Sequence, residues 1–213
     1  MTNHTTRRTG LLLAATLATA IGLSTVGAPS AGARGTDAHS SATPSSASNS
    51  SGADRSAASA LREKVVETAR DQVGVAEKSA DCDKYLPEKG QKCATTPWCA
   101  AFVEWVWRHA GVRSVPGDLT GRGVGAWGQE HRLWQPVKGA HPQPGDLLVY
   151  GAPRAATPGG HVAVVVAVNG DGTVDTVDGN IHDRVTRRHI DPDTATSGSD
   201  GLKVSGYVSV PGA

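Results

Sequence analysis

Two side chains in this sequence could serve as a nucleophile and its base. Cys99 stands in Thr95-Thr96-Pro97-Trp98-Cys99, just ahead of Phe102, Val103, Val106 and Ala110, an apolar stripe at helical spacing. Thr96 can cap such a helix and Pro97 can take its first position, where the missing NH costs nothing, so Cys99 is predicted in the first turn. The positive end of a helix stabilises a thiolate and can lower a cysteine pKa from about 8.5 to somewhere near 3.5 to 7.5. The plainer reading of the same residue is a small hydrophobe facing the core. His161 opens His-Val-Ala-Val-Val-Val-Ala-Val, a run too apolar to hold an idle imidazole. A thiol within reach of an imidazole makes covalent acyl transfer available, the ring withdrawing a proton and later returning it to the leaving group.

A hairpin supplies candidate partners for the ring. Asn169-Gly170-Asp171-Gly172 is a strong reversal signal. With the hairpin centred there, Val168 faces Thr173, and counting outward sets His161 opposite Asn180 with Asp178 diagonal to it on the same face. Opposed Cβ atoms lie roughly 4.5 to 5.5 Å apart and diagonal ones about 7 to 8 Å, a span that an imidazole and a short carboxylate or amide can bridge. A slip of one residue would dissolve the arrangement. Read alone, Asp178-Gly179-Asn180 is an ordinary turn. His182 and His189 also fall on the strand side and compete with His161, whereas His109, His131 and His141 sit at a helix end or beside loops.

The three cysteines acquire meaning from the N-terminus. Arg7 and Arg8 precede an uncharged apolar stretch from Leu11 to Val26, followed by Val-Gly-Ala and Ala-Gly-Ala, which reads as a secretory signal peptide over residues 1–33, cleaved after Ala28 or Ala33. The stretch is shorter than the about 20 apolar residues of a membrane span. The arginine pair is a weak hint of twin-arginine export. Export implies an oxidising compartment in which cysteines pair. Cys82 and Cys93 flank a short polar loop and are the expected disulfide, worth roughly 2 to 4 kcal/mol in the chain-entropy picture, which leaves Cys99 free. The C-x-x-C or histidine spacing of a zinc site is missing. Asn169, Asp171, Asp175 and Asp178 suggest a calcium loop but lack its sixth-position glycine and terminal glutamate, so no metal is expected.

These groups need a scaffold. Residues 34–58 are Ser, Ala, Gly, Thr and Asn with almost no large apolar side chain, and are expected to be a disordered linker. Residues 59–213 are long enough for one catalytic domain. Its first helix is predicted from Ser59, as cap, to Gly74, and its second runs to about Ala110, ending on Arg108, His109 and Gly111. A glycine-rich stretch from Thr120 to Gly128 leads into Trp127, His131 and Trp134 as a short irregular helix. Strands follow at Leu147–Tyr150, His161–Val168, Thr173–Asp178, Arg184–Ile190 and Val204–Val210. Helices first and antiparallel strands after predict an α+β domain. Net charge is only +1 and no basic stripe appears, which argues against a nucleic-acid partner.

Taken together, these residues resemble the CHAP domains (cysteine, histidine-dependent amidohydrolases/peptidases), similar in turn to NlpC-type and papain-like peptidases. Trp98-Cys99-Ala100-Ala101-Phe102-Val103-Glu104-Trp105-Val106-Trp107 looks like the family's nucleophile helix, with Ala110-Gly111-Val112 as its exit. Pro144-Gly145-Asp146-Leu147 looks like the opening of a family strand, His161-Val162-Ala163-Val164-Val165 is similar to its histidine strand, and Asp178-Gly179-Asn180 to a segment that often reads Glu-Gly-Asn. The resemblance covers nearly everything from Leu61 to Val210.

The resemblance implies a papain-like or NlpC-like fold, N-terminal helices packed on a C-terminal antiparallel β-sheet. It also implies peptidoglycan amide hydrolysis without a cofactor, with Cys99 as nucleophile and His161 as base. Because the family's common glutamate is here the shorter Asp178, either Asp178 or Asn180 could orient the ring. Backbone NH groups at the start of the Cys99 helix would hold the oxyanion, with Tyr85 as a candidate helper. Trp98, Trp127 and Trp134 are candidates to line a substrate groove, while Trp105 and Trp107 are expected in the core. The enzyme so implied is an N-acetylmuramoyl-L-alanine amidase or a peptidoglycan endopeptidase, secreted, extracellular or cell-wall associated. It would act as a monomer on a stem peptide or crossbridge, with no membrane anchor once cleaved. The alternative is a catalytically inactive module of the same fold that binds wall peptides or a protein partner.

Overall fold

A first helix, α1, runs from Ala47 to Arg70. The computed structural model describes residues 47–213 apart from 80, 87–90 and 199, with side chains from residue 52 onward, so the expected signal peptide and residues 34–46 of the expected linker lie outside the described residues. The last part of that linker is helical instead. Its alanines carry high helix propensity, and propagation costs little once Val65 and Ala69 have docked the following turns on the core. The helix thus begins ahead of Ser59, the cap read from the sequence.

The second helix, α2, spans Cys99–Ala110 and closes on Gly111 at φ 99°. Its N-cap is Trp98, with no side-chain cap, and Thr96 is extended at φ −133°, so neither Thr96 nor Pro97 plays its predicted part. Trp98 takes the cap position because its ring is wholly buried, stacked 5.8 Å from Tyr85. Cys99 is therefore the first helical residue. The third helix, α3, covers Gly121–Glu130 and is regular, with Thr120 Oγ1 accepting from the Gly123 NH at 3.0 Å. Cys82 and Cys93 form the expected disulfide and lie beside short 3-10 turns at Asp83–Tyr85 and Cys93–Thr95.

Six strands form one antiparallel sheet: β1 Trp134–Pro136, β2 Leu147–Tyr150, β3 His161–Val168, β4 Val174–Asp178, β5 Thr186–Ile190 and β6 Val204–Val208, in the order β1-β6-β2-β3-β4-β5. The bounds of β2 and β3 match the sequence reading, and those of β4, β5 and β6 differ by one or two residues. The short β1 was not anticipated; its Pro136 is tolerated because the strand is at an edge. Alternation along β2 sends Leu147 and Val149 to the helical side, with Phe102, Val106 and Trp107, and sends Leu148 and Tyr150 to the opposite face, with Val165, Val174 and Tyr207. Helices before an antiparallel sheet is the expected α+β architecture.

Asp146, fully buried at the start of β2, ties the layers together. Its carboxylate accepts from Arg62 Nη1 of α1 at 2.7 Å, from the Gln143 NH at 2.9 Å and from the Val210 NH at 3.1 Å. The neighbouring Gly145 carbonyl accepts from the Trp107 indole at 3.0 Å, fixing α2 to the same corner.

Candidate active site

The hairpin that carries His161 is one residue out of the predicted register at its turn and back in register at the site. Val168 pairs with Val174 rather than Thr173, because the Asn169 NH bonds the Thr173 carbonyl at 2.9 Å and Gly172 takes φ 90°, giving a longer loop. Between Val165 and Ala167 the ladder then shifts, and beyond this bulge Val165 pairs with Thr176 and Val164 with Val177. The extra residue, Val166, offers its carbonyl to Arg70 Nη2 of α1 at 3.1 Å. This second register, carried on past the last ladder pair, is the predicted one that leads His161 toward Asp178.

His161 Nε2 lies 2.9 Å from Asp178 Oδ1. Asp178 is wholly buried, its Oδ1 also accepting from Arg188 Nη1 at 3.2 Å and its Oδ2 from the Thr176 hydroxyl. Asn180 borders the same cleft, but among the described residues no hydrogen bond joins it to the imidazole. The Cys99 thiol, free and only 7 % exposed, lines the same cleft as the ring and is one of the groups that raise the ring's pKa. With Nε2 committed to Asp178, Nδ1 is the nitrogen left for sulfur. Burial of the ring opposes its charging, yet the hydrogen bonds and charges of Asp178 and Cys99 outweigh it and push the His161 pKa up to about 10.

Two glycines permit this convergence. A Cβ on Gly179 would lie 2.6 Å from Phe102 Cβ, so the end of β4 can meet the first turns of α2 only without a side chain there. A Cβ on Gly121 would lie 2.6 Å from the His161 backbone, which is where α3 braces the start of β3.

Cys99 and His161 open on a cleft of about 630 Å³, walled by Pro97, by residues 180–183 and by Ser197, Gly198 and Asp200. Asn180, His182 and Asp183 take φ of 64°, 51° and 58°, left-handed backbone that non-glycine residues adopt at a cost of order 1 kcal/mol each. Glu77 braces this wall: its NH donates to the Asp183 carbonyl at 2.7 Å while its carboxylate accepts from the Trp98 indole at 3.3 Å. Another hollow, of about 620 Å³, runs between α1 and Pro144, but it holds neither thiol nor imidazole, so the chemistry singles out the Cys99 cleft.

Residues 91–180 match the family model of the CHAP domain. This segment is similar to the CHAP domain. The match includes Cys99, His161, Asp178 and Asn180. Among solved structures, the chain is similar to the crystal structure of Ly7917 at 22% identity and TM-score 0.41, covering 71% of this chain and 63% of that one. The structure of Ly7917 with the hydrolyzing product of MDP gives 22% identity and TM-score 0.42, covering 70% and 63%. An N-acetylmuramoyl-L-alanine amidase from Staphylococcus aureus gives 20% identity and TM-score 0.36, covering 63% and 35%. The chain thus spans less than two thirds of the length of each of these proteins. No match among curated proteins is found.

Several side chains expected at the cleft lie elsewhere. Tyr85 is buried, its hydroxyl donating to Gln72 Oε1 at 3.0 Å and its ring packed on Trp98, Phe102 and Trp105; burial raises its pKa. It does not line the cleft. Trp98 is wholly buried in the same cluster, Trp127 packs edge-on against Trp107 and stacks on His131, and Trp134 packs over Gly206 of β6. None of the three is a groove residue. Trp107 is in the core as expected, and Trp105 packs against it, half-buried. Of the competing histidines, His189 bonds Asp175 at 2.7 Å, whereas His182 borders the cleft. Asp171 holds the Thr173 NH and Asp175 the Arg187 guanidinium, so the acidic side chains near the hairpin are committed separately. Among the described residues no cluster of three His, Cys, Asp or Glu could hold a metal.

Sequence reasoning missed Arg188, Thr176 and the cleft wall at Ser197, Gly198 and Asp200. For Arg188 a signal existed: alternation back from buried Ile190 puts Arg188 and Thr186 on the inner face of β5.

Proposed function

We propose that this chain is a secreted cysteine hydrolase that cleaves amide bonds of peptidoglycan through an acyl-enzyme. The observation that carries the reading is His161 bonded to the buried Asp178 carboxylate in the same cleft as the free Cys99 thiol. The CHAP domain match supports it, since that family's implied chemistry needs this pair of residues. The disulfide accords with an extracellular or wall-associated location.

In this mechanism His161 takes the Cys99 proton, and Asp178 holds the resulting imidazolium. The thiolate adds to a peptidoglycan amide carbonyl, forming the carbon–sulfur bond while the carbonyl pair moves to oxygen. The first NH groups of α2 lack intrahelical acceptors, and Trp98 supplies no side-chain cap, so they are available to the oxyanion. The tetrahedral intermediate collapses, the carbon–nitrogen bond breaks, and His161 passes its proton to the leaving amine. Water then adds to the thioester with His161 as base, releasing the carboxylic acid and restoring the thiol. Asn180, His182 and Asp183 line the path of the stem peptide or crossbridge. In this reading the protein works as a monomer and without a cofactor.

Digestion of purified cell walls by the mature protein, Cys99→Ala and His161→Ala tests the proposal. Fragment release by the parent and its loss in both variants is the expected result. Equal release from either variant refutes the mechanism, and wall binding without release would leave a non-catalytic module. Mass analysis of the fragments distinguishes cleavage between sugar and peptide from cleavage within the stem or crossbridge.

A further inference from the structure

We propose that Arg188 is a positioning residue of this site, which aims Asp178 and sets the pH window in which the Cys99–His161 pair is charged. The inference rests on the catalytic reading given above for those two residues.

Arg188 stands on β5 directly across from Thr176 of β4, and Asp178 is its diagonal neighbour. Its side chain is 22 % exposed. Nη1 donates to Asp178 Oδ1 at 3.2 Å, the same oxygen that His161 Nε2 meets at 2.9 Å. Nη2 reaches the Thr196 carbonyl at 3.4 Å, and the guanidinium lies 5.8 Å above the Tyr150 ring, itself 5.5 Å from the imidazole. A planar fork can engage the carboxylate and the carbonyl together, which a lysine ammonium cannot do with the same rigidity. Asp178 is wholly buried, so without Arg188 its charge would be met only by Thr176 and His161.

The charged and titratable groups facing His161 are Cys99 from α2, Asp178 from β4, Tyr150 from β2 and Arg188 from β5, with His182, Asp183 and Asp200 on the wall of the cleft. Arg122 of α3 lies beyond Gly160 and is bonded to Thr157. Among the described residues Arg188 is thus the one arginine or lysine paired with Asp178. Removing a cation makes every nearby acid hold its proton more tightly. Proton loss from the His161 imidazolium, and with it the pH range over which Cys99 reacts, then moves to higher pH.

The experiment is the pH dependence of Cys99 alkylation by iodoacetamide in the folded full chain, compared for the parent, Arg188→Gln and Arg188→Lys, with wall-fragment release as a second readout. Arg188→Gln is expected to raise the alkylation midpoint by about one pH unit and to slow fragment release about tenfold or more. Arg188→Lys, which keeps the charge and loses the fork, is expected to restore the midpoint while release stays slow. Arg188→Met keeps the aliphatic stem over Tyr150 and repeats the measurement should the Gln variant melt early. An unmoved midpoint in folded Gln or Met variants, or parent-level release in Arg188→Lys, overturns the inference and leaves the cysteine hydrolase reading intact. A parent protein whose Cys99 resists alkylation overturns both.

Discussion

Gly179 packs on Phe102 so closely that any side chain at this position would begin 2.6 Å from the Phe102 Cβ and 3.0 Å from the Trp98 ring. The end of β4 and the start of α2 therefore share one fixed separation, and that separation is what brings Cys99 to His161. Gly179→Ala is expected to push α2 away from β4. Fragment release should fall at least about a hundredfold, because a misplacement of about 1 Å costs that much, with a stability loss of about 1 to 3 kcal/mol. Denaturant unfolding and wall digestion measure the two effects; full activity in the alanine variant would contradict the assigned contact.

Replacing Asp178 by Asn keeps the shape of the buried group and removes its charge. Asp178 is among the causes that raise the His161 pKa to about 10, so the imidazole in Asp178→Asn should release its proton at lower pH. Activity at pH 8 is expected to drop about a hundredfold or more, with the alkaline limb of the pH–rate profile moved toward neutrality. NMR titration of the His161 ring checks the shift directly.

The raised His161 pKa is also a statement about stability. Unfolded, the ring has its ordinary value of 6.5; folded, about 10. Its contribution is complete below pH 6.5 and is lost as pH rises from there through 10. Melting curves of the parent should therefore fall over that window more steeply than those of His161→Gln.

Glu104 on α2 gives the opposite kind of group. It is 5 % exposed, its Oε1 has no hydrogen-bond partner among the described residues, and Arg108 approaches Oε2 only to 3.5 Å. Burial pushes its pKa up to about 7, opposed by Arg108 and assisted by Asp118. The folded state thus resists ionisation of Glu104, and stability from this residue falls as pH rises from 4.5 to about 7. Glu104→Gln is expected to be more stable than the parent by about 1 kcal/mol at pH 8, an advantage that disappears below pH 4.5. Chemical denaturation at the two pH values decides it.

Arg70→Met takes away the donor to the bulged Val166 carbonyl. A loss of about 1 kcal/mol is expected, with a larger fall in activity than in stability, because the bulge sets the register that aligns His161 with Asp178. Equal activity would show that the ladder holds its register without α1.

The contrast between what could and could not be read in the sequence follows from range. Cys99 at a helix start, the β2 and β3 spans and the Asn169–Gly172 reversal depend on neighbours in the chain, and each was legible. The His161–Asp178 pairing was reached through a turn that is in fact one residue longer, with the bulge at Val166 supplying the compensating shift; no local pattern announces such a bulge. Trp98 misled because a buried indole and a groove indole look alike in sequence, and only the stack on Tyr85 separates them. Arg188 needed the register of a third strand, and the 180–183 wall needed backbone angles that His182 and Asp183 do not advertise.

Glu77 grips both sides of the cleft at once, its backbone holding the loop at Asp183 and its side chain the indole in front of Cys99. Two borders of the cleft are therefore tied through one amino acid, so a change at Glu77 would loosen the Asp183 loop and the residue ahead of the nucleophile together.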